Sequence, residues 1–161
     1  MSSVAPLYTA RVSIEDDVLR EMVACAEAGY PEEVAGLLLG SSRNGRIHVL
    51  RFLRAENSQG AEARAYSYQI SSSAWQQGER DARQLALELV GVFHTHPDHP
   101  SVPSSHDLEF ALPNFIYIIA AIHRRKLAGM QAWQLREDRS GFDHCLLCLP
   151  WQDEQGYQEA G

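Results

Sequence analysis

The sequence predicts an α/β fold in which helices pack against a β-sheet. Its 161 residues suffice for one domain with a single core, and 45% hydrophobic with 22% charged residues is ordinary for a globular protein. Short apolar, β-branched runs are interspersed with two longer segments whose apolar residues recur at helical spacing. The run at 114–122 is almost continuously apolar, which predicts a strand buried on both faces at the centre of the sheet.

A short strand and a long helix are expected near the N-terminus. Residues 8–14 alternate closely enough for a strand. Ser13 is followed three residues later by Asp16, which is similar to a capping box, so a helix should run from there to about residue 28 and end at Gly29. The residues of its apolar face, expected in the core, are Val18, Leu19, Met22, Val23, Cys25 and Ala26.

A β-hairpin is predicted next. Two apolar runs, 34–39 and 47–53, are joined through a polar segment that contains Asn44-Gly45, the pair that type I′ turns prefer. Glu33 stands at the start of this hairpin. An acidic residue there is by default a solvated strand end, so Glu33 becomes a functional candidate only together with residues far downstream.

The middle of the chain should form a loop, a strand and a second helix. Residues 55–65 are polar and lack periodicity, as in a loop that could cover a neighbouring cleft, and residues 66–70 resemble a strand. A helix is expected from Ser72 or Ser73 to about residue 87, with its charged residues in solvent.

The densest chemistry lies in residues 94–107, which contain four of the seven histidines. The apolar run 89–93 before them is too short for a helix and predicts a buried strand, so His94 and His96 lie at or just past its end. Two positions apart on a strand, their side chains point the same way and can share a cation such as Zn²⁺.

Asp107 is the candidate third ligand. Three prolines stiffen the intervening loop, and Ser104 or Ser105 can cap a short helix over 105–112 that carries Asp107 in its first turn. Three protein ligands leave the fourth tetrahedral position open for water, which is typical of catalytic rather than structural zinc.

The C-terminal part should complete the sheet. After the central strand, His123-Arg124-Arg125-Lys126 is interpreted as a solvated turn or strand end rather than an anion site. Residues 130–135 and 142–149 predict two further strands, and a polar, acidic tail follows over 151–161.

The residues singled out above resemble the signature of the JAMM (MPN-plus) metalloproteases. That signature is His-x-His-Pro, then six residues, then Ser-x-x-Asp, with a glutamate far upstream before a Gly-Leu-Leu strand. The resemblance covers about residues 31–122, and it implies a single JAMM/MPN-type domain over 1–150 with a curved mixed β-sheet packed with helices. The positions in register are Glu33, His94, His96, Pro97, Ser104 and Asp107.

The resemblance also implies a role for each polar residue. His94, His96 and Asp107 would hold Zn²⁺ as metal ligands. Glu33 would take a proton from the attacking water and pass it to the leaving amine, and Ser104 would donate a hydrogen bond to the developing oxyanion. The activity implied is that of a zinc metallopeptidase or isopeptidase.

The expected substrate is a small ubiquitin-like or sulfur-carrier protein, cut after its C-terminal Gly-Gly. Asp98-His99-Pro100 looks like the small prokaryotic members of the family, and the segment from Asp107 to His123 leaves no room for the long insertions of ubiquitin-chain-trimming relatives. Glycines would suit a channel too narrow for side chains, and strand edges beside the site could bind an extended tail.

Other interpretations of these residues stay open. The histidines and Asp107 could be ordinary strand-end and helix-start residues, and the chain could be a catalytically silent MPN-type binding scaffold. His99 and His106 are off the motif register and are interpreted as loop residues. A rival metal cluster at 144–148 is disfavoured because a strand places its two cysteines on opposite faces.

Charge and composition argue against several other classes of function. The net charge of −7 would repel nucleic acids and anionic membranes, so neither is expected as a partner. No apolar run approaches the roughly 20 residues of a membrane helix, and residues 1–10 do not resemble a secretory signal. The three cysteines do not suggest a disulfide framework, the zinc-deaminase pattern is absent, and a cytoplasmic location is expected.

Overall fold

The computed structural model describes residues 10–153. The mixed α/β composition expected from the sequence is confirmed in that part of the chain. Its strands are β1 (Arg11–Ile14), β2 (Ala35–Arg43), β3 (Arg46–Ala55), β4 (Glu88–Pro97), β5 (Ile116–His123), β6 (Lys126–Leu135) and β7 (Phe142–Cys148), and its helices are α1 (Asp16–Gly29), α2 (Ser72–Gln84), α3 (Ser105–Phe110) and α4 (Pro150–Asp153).

The strands form a closed barrel in the order β1-β3-β2-β4-β5-β6-β7. β1 runs parallel to both β3 and β7, and this pairing closes the sheet. β4 is antiparallel to β2 and parallel to β5, whereas the remaining neighbours are antiparallel. The expected mixture of strand directions is therefore confirmed, but the closure was not foreseen, because apolar periodicity identifies strands without telling which distant strands pair.

Closure of the barrel does not pair every strand along its whole length. β1 pairs with β3 only from Arg46 to Val49, so residues 51–55 of β3 have β2 as their one neighbouring strand. The binding of an extended tail along a strand edge therefore stays a prediction.

Alternation along β4 decides which side of the sheet carries the histidines. Phe93 packs in a buried cluster with residues of α1, whereas Val92 packs in a second cluster with residues of α2. Side chains two and four positions after Val92 point the same way. His94 and His96 therefore face the α2 side, and both lie within β4 rather than past its end.

The predicted hairpin and central strand are confirmed. β2 and β3 are joined by Asn44 and Gly45 with φ of 51° and 75°, as a type I′ turn requires. β5 lies between β4 and β6, and its residues from Ile116 to Ile122 are buried. His123 is the exposed last residue of β5, and the exposed residues 124 and 125 form the turn to β6, as expected.

The predicted start of the first helix is wrong. Ser13 lies within β1, where its hydroxyl contacts the His48 ring instead of capping a helix. The extended pairing of β1 with β3 and β7 holds Ser13 too far from the helix, and α1 follows Glu15 as its N-cap without a side-chain hydrogen bond. Cys25 packs against the core as expected, although it stays partly exposed.

The strand expected at 66–70 is also wrong. These residues alternate as a strand would, yet only Tyr66 lies in a turn and residues 67–70 are irregular. Their backbone bonds with the preceding loop rather than with a neighbouring strand. The helix that follows, α2, is capped by Ser71, whose hydroxyl oxygen accepts the amide hydrogen of Ala74 at 3.2 Å. It ends at Gln84, three residues earlier than expected.

Most of the predicted C-terminal tail, from residue 154 onward, lies outside the described residues, as do residues 8 and 9 of the first predicted strand. Among residues 10–153, no helix combines the length and apolar character that spanning a membrane requires.

Candidate metal centre

His94 and His96 share one face near the end of β4. Both are buried, and their ring centroids lie 5.1 Å apart. Ala35 at the start of β2 pairs with His94, and this register brings Glu33, two residues earlier, beside the two rings. Glu33 Oε1 lies 3.8 Å from His94 Nδ1 and 3.9 Å from His96 Nε2.

Asp107 reaches the histidines from α3. The helix begins with a capping box in which the Ser104 hydroxyl oxygen accepts the Asp107 amide hydrogen at 3.1 Å, and the Ser104 amide donates to Asp107 Oδ2 at 2.8 Å. Asp107 Oδ1 then lies 3.6 Å from His94 Nε2, and Oδ2 lies 3.1 Å from His96 Nε2. The cap is therefore Ser104, and it also fixes Asp107 toward the rings.

His96 is oriented by a backbone carbonyl. Its Nδ1 lies 2.8 Å from the Pro100 carbonyl oxygen, so Nδ1 carries a hydrogen and donates it. Nε2 is then the atom that faces Glu33 and Asp107 and can bind a cation in place of a proton.

The electrostatics of the pair agree with this arrangement. Burial alone would raise the pKa of Asp107, but His96, the charge of His94 and the Ser104 amide together hold that pKa well below its usual range. Burial alone would lower the pKa of His96, yet the Asp107 carboxylate and the Pro100 carbonyl raise this pKa above its ordinary value. Asp107 is thus an ionised carboxylate, ready to bind a cation.

Three buried polar atoms at the centre have no hydrogen-bond partner among the described residues. They are His94 Nδ1, His94 Nε2 and Glu33 Oε2. A buried polar atom without a partner costs about 1–3 kcal/mol, so three such atoms together indicate a missing ligand. Imidazole nitrogens and carboxylate oxygens are donors that Zn²⁺ accepts, and the centre therefore fits a metal ion.

Two donor sets in this cluster could hold the ion. Donor atoms of Glu33, His94 and His96 all lie within 4.8 Å of one another. The alternative set replaces Glu33 by Asp107, which approaches Nε2 of both rings, whereas Glu33 approaches Nδ1 of His94. The residues expected from the sequence are thus brought together, with the acidic residues on two sides of the His94 ring.

The model of a protein family described as prokaryotic homologs of the JAB domain matches residues 15–136. The chain belongs to this family. The resemblance drawn from the motif is thereby confirmed. The matched segment of the JAB domain lies inside the predicted domain of residues 1–150, whose outer boundaries stay a prediction.

Relatives of this JAB domain agree with its fold. A desampylase of Pyrococcus furiosus is 32% identical over 77 residues, which make up 48% of the chain and 50% of the desampylase, so the chain spans about half of that curated relative. A solved protein of Salinibacter ruber is 31% identical with a TM-score of 0.63, covering 86% of this chain and 92% of its own. A protein of Desulfitobacterium hafniense, 24% identical over the same shares with a TM-score of 0.75, shows the fold alone.

The sequence analysis missed two residues beside the candidate metal centre. Tyr68 stacks on His94, with ring centroids 4.4 Å apart, and burial holds its pKa well above the ordinary value. Asn57 donates a hydrogen bond to the Glu33 carbonyl at 3.1 Å. Both lie between β3 and α2, in a segment whose sequence carries no motif, and only the fold brings them to the metal centre.

Two cavities flank the candidate metal centre. One of about 460 Å³ lies beside Glu33 and is lined by charged residues that include Arg54 and Arg64. The other, of about 340 Å³, lies beside Asp107. Its mainly apolar and aromatic lining includes Tyr68, Ile70, Trp75, Val92, Phe110 and Tyr117.

The other candidate histidines and cysteines lie outside the two donor sets of the candidate metal centre. His99 is exposed, and His106 packs on Phe110 at the second cavity. Cys145 is buried whereas Cys148 is partly exposed, as the alternation of β7 requires, and neither forms a disulfide. The prediction that these two thiols do not share a metal agrees with this placement.

Proposed function

We propose that this JAB-family protein is a zinc-dependent peptidase or isopeptidase. The observation that carries the proposal is the buried His94 ring, whose two nitrogens lie unpaired between the carboxylates of Glu33 and Asp107. Such a ring is poorly accommodated without a cation, and the flanking carboxylates differ in how they are held. That difference allows one carboxylate to bind the metal and the other to move protons.

His94, His96 and Asp107 are the proposed ligands. Asp107 is ionised, held by its own capping box, and faces Nε2 of both rings. Three protein ligands leave one tetrahedral position for water. When bound, Zn²⁺ lowers the pKa of water to about 7 and polarises the carbonyl that is attacked.

Glu33 and Ser104 supply the remaining chemistry. Glu33 lies on the other side of the His94 ring from Asp107, so its carboxylate can take a proton from the attacking water and deliver it to the leaving amine. The exposed Ser104 uses its oxygen as an acceptor for Asp107, which leaves its hydroxyl hydrogen to donate to the carbonyl oxygen. Donation to the developing oxyanion is worth about 3 kcal/mol in comparable sites.

The substrate we propose is a small ubiquitin-like or sulfur-carrier protein, cut after a C-terminal Gly-Gly. The name of the Pyrococcus relative, a desampylase, supports an isopeptidase that acts on a protein of this class. The partly buried ring of Tyr68 stacks on the buried ring of His94, and a scissile bond beside these two rings favours residues without side chains, which glycines are. Only residues 111–115 separate α3 from β5, so no long insertion is present to hold a second ubiquitin.

A carrier protein extended by a few residues beyond its Gly-Gly tests this proposal. Zinc-loaded protein should remove the extension, so that the carrier's mass falls to that of the Gly-Gly form. A matched carrier with Ala-Ala in place of Gly-Gly should be cut much more slowly. An intact Gly-Gly carrier alongside efficient cleavage of unrelated peptides would rule this substrate class out.

A further inference from the structure

The backbone of Glu33 is held by a loop rather than by the barrel. Its amide donates to the Arg64 carbonyl at 2.7 Å, and its carbonyl accepts a hydrogen from Asn57 Nδ2 at 3.1 Å. Both partners lie in the β3–α2 loop, residues 56–71. The barrel holds the backbone only from the next residue, Val34. The Val34 amide donates to the Thr95 hydroxyl of β4, and the Val34 carbonyl accepts the Thr95 amide hydrogen.

Asn57 uses all of the hydrogen-bonding capacity that its side chain has. Nδ2 donates to the carbonyls of Glu33 and Ser67, and Oδ1 accepts the amide hydrogens of Gln59 and Gln69. The four distances lie between 3.0 and 3.2 Å. A planar amide with four satisfied positions admits one orientation, so this side chain fixes the loop relative to Glu33.

The Asn57 side-chain amide also binds the backbone on both sides of Tyr68. Its bonds to the Ser67 carbonyl and the Gln69 amide hold the two peptide groups on either side of Tyr68. The Tyr68 ring stacks on His94, one of the proposed ligands. One side chain therefore ties the residue proposed to move protons to the aromatic ring that packs on the metal centre.

The carboxylate of Glu33 has little else to define its place. Oε2 is buried without a hydrogen-bond partner among the described residues, and Oε1 approaches the histidine nitrogens no closer than 3.8 Å. A displacement of about 1 Å can slow a reaction by about a hundredfold when proton transfer depends on alignment. The backbone contacts of Glu33 therefore matter for its position.

We propose that Asn57 is a positioning residue that holds Glu33 in place for proton transfer. This inference rests on the proposed function, in which Glu33 acts on the attacking water. Asn57 touches neither the metal ligands nor a substrate in this arrangement, and it acts through the Glu33 backbone. Its loss should lower kcat while zinc binding and KM change little.

Three variants separate positioning from general loop stability. Asn57→Ala removes all four hydrogen bonds, whereas Asn57→Asp keeps the two acceptor positions and loses both donors. The matched control is Ser58→Ala, because the Ser58 hydroxyl donates only to the Gln69 carbonyl, which also accepts the Ser58 amide hydrogen. Each variant is assayed for zinc content, for kcat and KM on the extended carrier, and for amide hydrogen exchange in the metal-free protein.

Asn57→Ala and Asn57→Asp should both lower kcat by about 10- to 100-fold with zinc content near that of the wild type. The Glu33 amide, which bonds to Arg64 and not to Asn57, should exchange about tenfold faster in both variants. The Gln59 and Gln69 amides should lose protection only in Asn57→Ala. Ser58→Ala should match the wild type in kcat, and the Thr95 amide should be unchanged throughout.

Unchanged kcat and unchanged exchange at Glu33 in a folded, zinc-loaded Asn57 variant would overturn the inference and leave the proposed function standing. A wild-type protein that binds zinc but cleaves nothing would contradict the proposed function and the role in proton transfer with it, and exchange at Glu33 would then test only whether Asn57 holds the Glu33 backbone. If Asn57→Ala does not fold, Asn57→Asp provides the same comparison, since it retains half of the hydrogen bonds.

Discussion

The ring of His94 gives the strongest indication of a metal site among the described residues. A fully buried imidazole normally donates one ring hydrogen and accepts at the other nitrogen, yet both His94 nitrogens are unpaired among the described residues. The carboxylates of Glu33 and Asp107 lie 3.8 and 3.6 Å from these nitrogens, beyond hydrogen-bond distance. These distances between nitrogen and oxygen atoms leave room for a metal ion between them, as expected of metal ligands in a metal-free site.

Zinc content tests the proposed ligands. The purified protein should hold about one Zn²⁺ per chain, and His96→Ala should hold far less, because Nε2 of His96 is one of the three proposed ligand atoms. His99→Ala is the control, since His99 is exposed and lies three residues after His96, just past the end of β4. Elemental analysis makes the comparison, and equal zinc in His96→Ala and His99→Ala would contradict the ligand assignment.

Protons should compete with zinc at His96. Its raised pKa in the metal-free protein means that the ring is protonated at higher pH than a free imidazole, so zinc affinity should weaken as the pH falls through the histidine range. Asp107 adds nothing to this dependence there, because its pKa is depressed and it stays ionised. Competition with a chelator at several pH values measures the effect, and an affinity independent of pH would contradict it.

At the residue scale, the sequence predicts the motif side chains well and their neighbours poorly. The spacing of His94, His96 and Asp107 reflects local geometry, a strand followed by a capped helix, so it can be derived from the sequence. Tyr68 and Asn57 reach the centre only because the β3–α2 loop folds back over β4. Nothing in the residues around them indicates that contact.

Among the elements, α3 has a cap with two functions. Ser104 caps the helix through its side chain and positions Asp107 through its amide, while its hydroxyl hydrogen remains available to a substrate carbonyl. Truncation of Ser104 to alanine removes only the two contributions of its hydroxyl group, the helix cap and the available hydrogen. The amide of residue 104 would still hold Asp107.

Ser104→Ala should therefore slow turnover and destabilise the protein without removing zinc. The loss of an oxyanion donor predicts a fall in kcat of about 10²- to 10³-fold, and the loss of an N-cap predicts about 1 kcal/mol in the free energy of unfolding. Kinetics, denaturant unfolding and zinc analysis measure the three effects. Ser105→Ala is the neighbouring control, and the assignment fails if the two variants behave alike.

The elements themselves were predictable where the signal is local. The Asn44-Gly45 hairpin and the buried strand β5 were correctly predicted, because a few adjacent residues determine the turn type and the burial of a strand. The strand expected at 66–70 failed although its alternation is good. Asn57 and Ser58 satisfy the backbone there, so these residues need no strand partner.

At the scale of the whole molecule, the pairing of β4 with β5 brings two backbones into close approach. Gly91 of β4 pairs with Ile116 of β5, and a Cβ at Gly91 would lie 2.0 Å from the Ile116 carbonyl oxygen. These backbone atoms cannot yield without shifting β5 relative to β4, the strand that carries His94 and His96. The sequence shows only a glycine in an apolar run, and the reason for it depends on the pairing.

Gly91→Ala should destabilise the fold by about 1–3 kcal/mol or more through overpacking. The control is Gly60→Ala, because a Cβ at Gly60 meets nothing within 4 Å. Denaturant unfolding of the two variants measures the difference. Equal free energies of unfolding would show that β4 and β5 do not approach as described.

The whole-molecule properties that the sequence predicts are coarse ones. Family membership agrees with the match over residues 15–136, whereas the cytoplasmic location and the identity of the cleaved protein stay predictions. The closure of the barrel could not be predicted, since it joins β1 to β7 from opposite parts of the chain.

The most direct test of metal-dependent hydrolysis by this centre is the turnover of zinc-loaded Glu33→Ala on the extended Gly-Gly carrier. Glu33 is proposed to move protons and not to bind zinc, so this variant should keep its zinc and its fold while kcat falls by at least about a hundredfold. Glu32→Ala is the matched control, because Glu32 is exposed and lies 3.8 Å from Arg64 at the surface, and it should retain near-normal turnover. Near-normal turnover in Glu33→Ala, or loss of its zinc, would contradict the role assigned to Glu33.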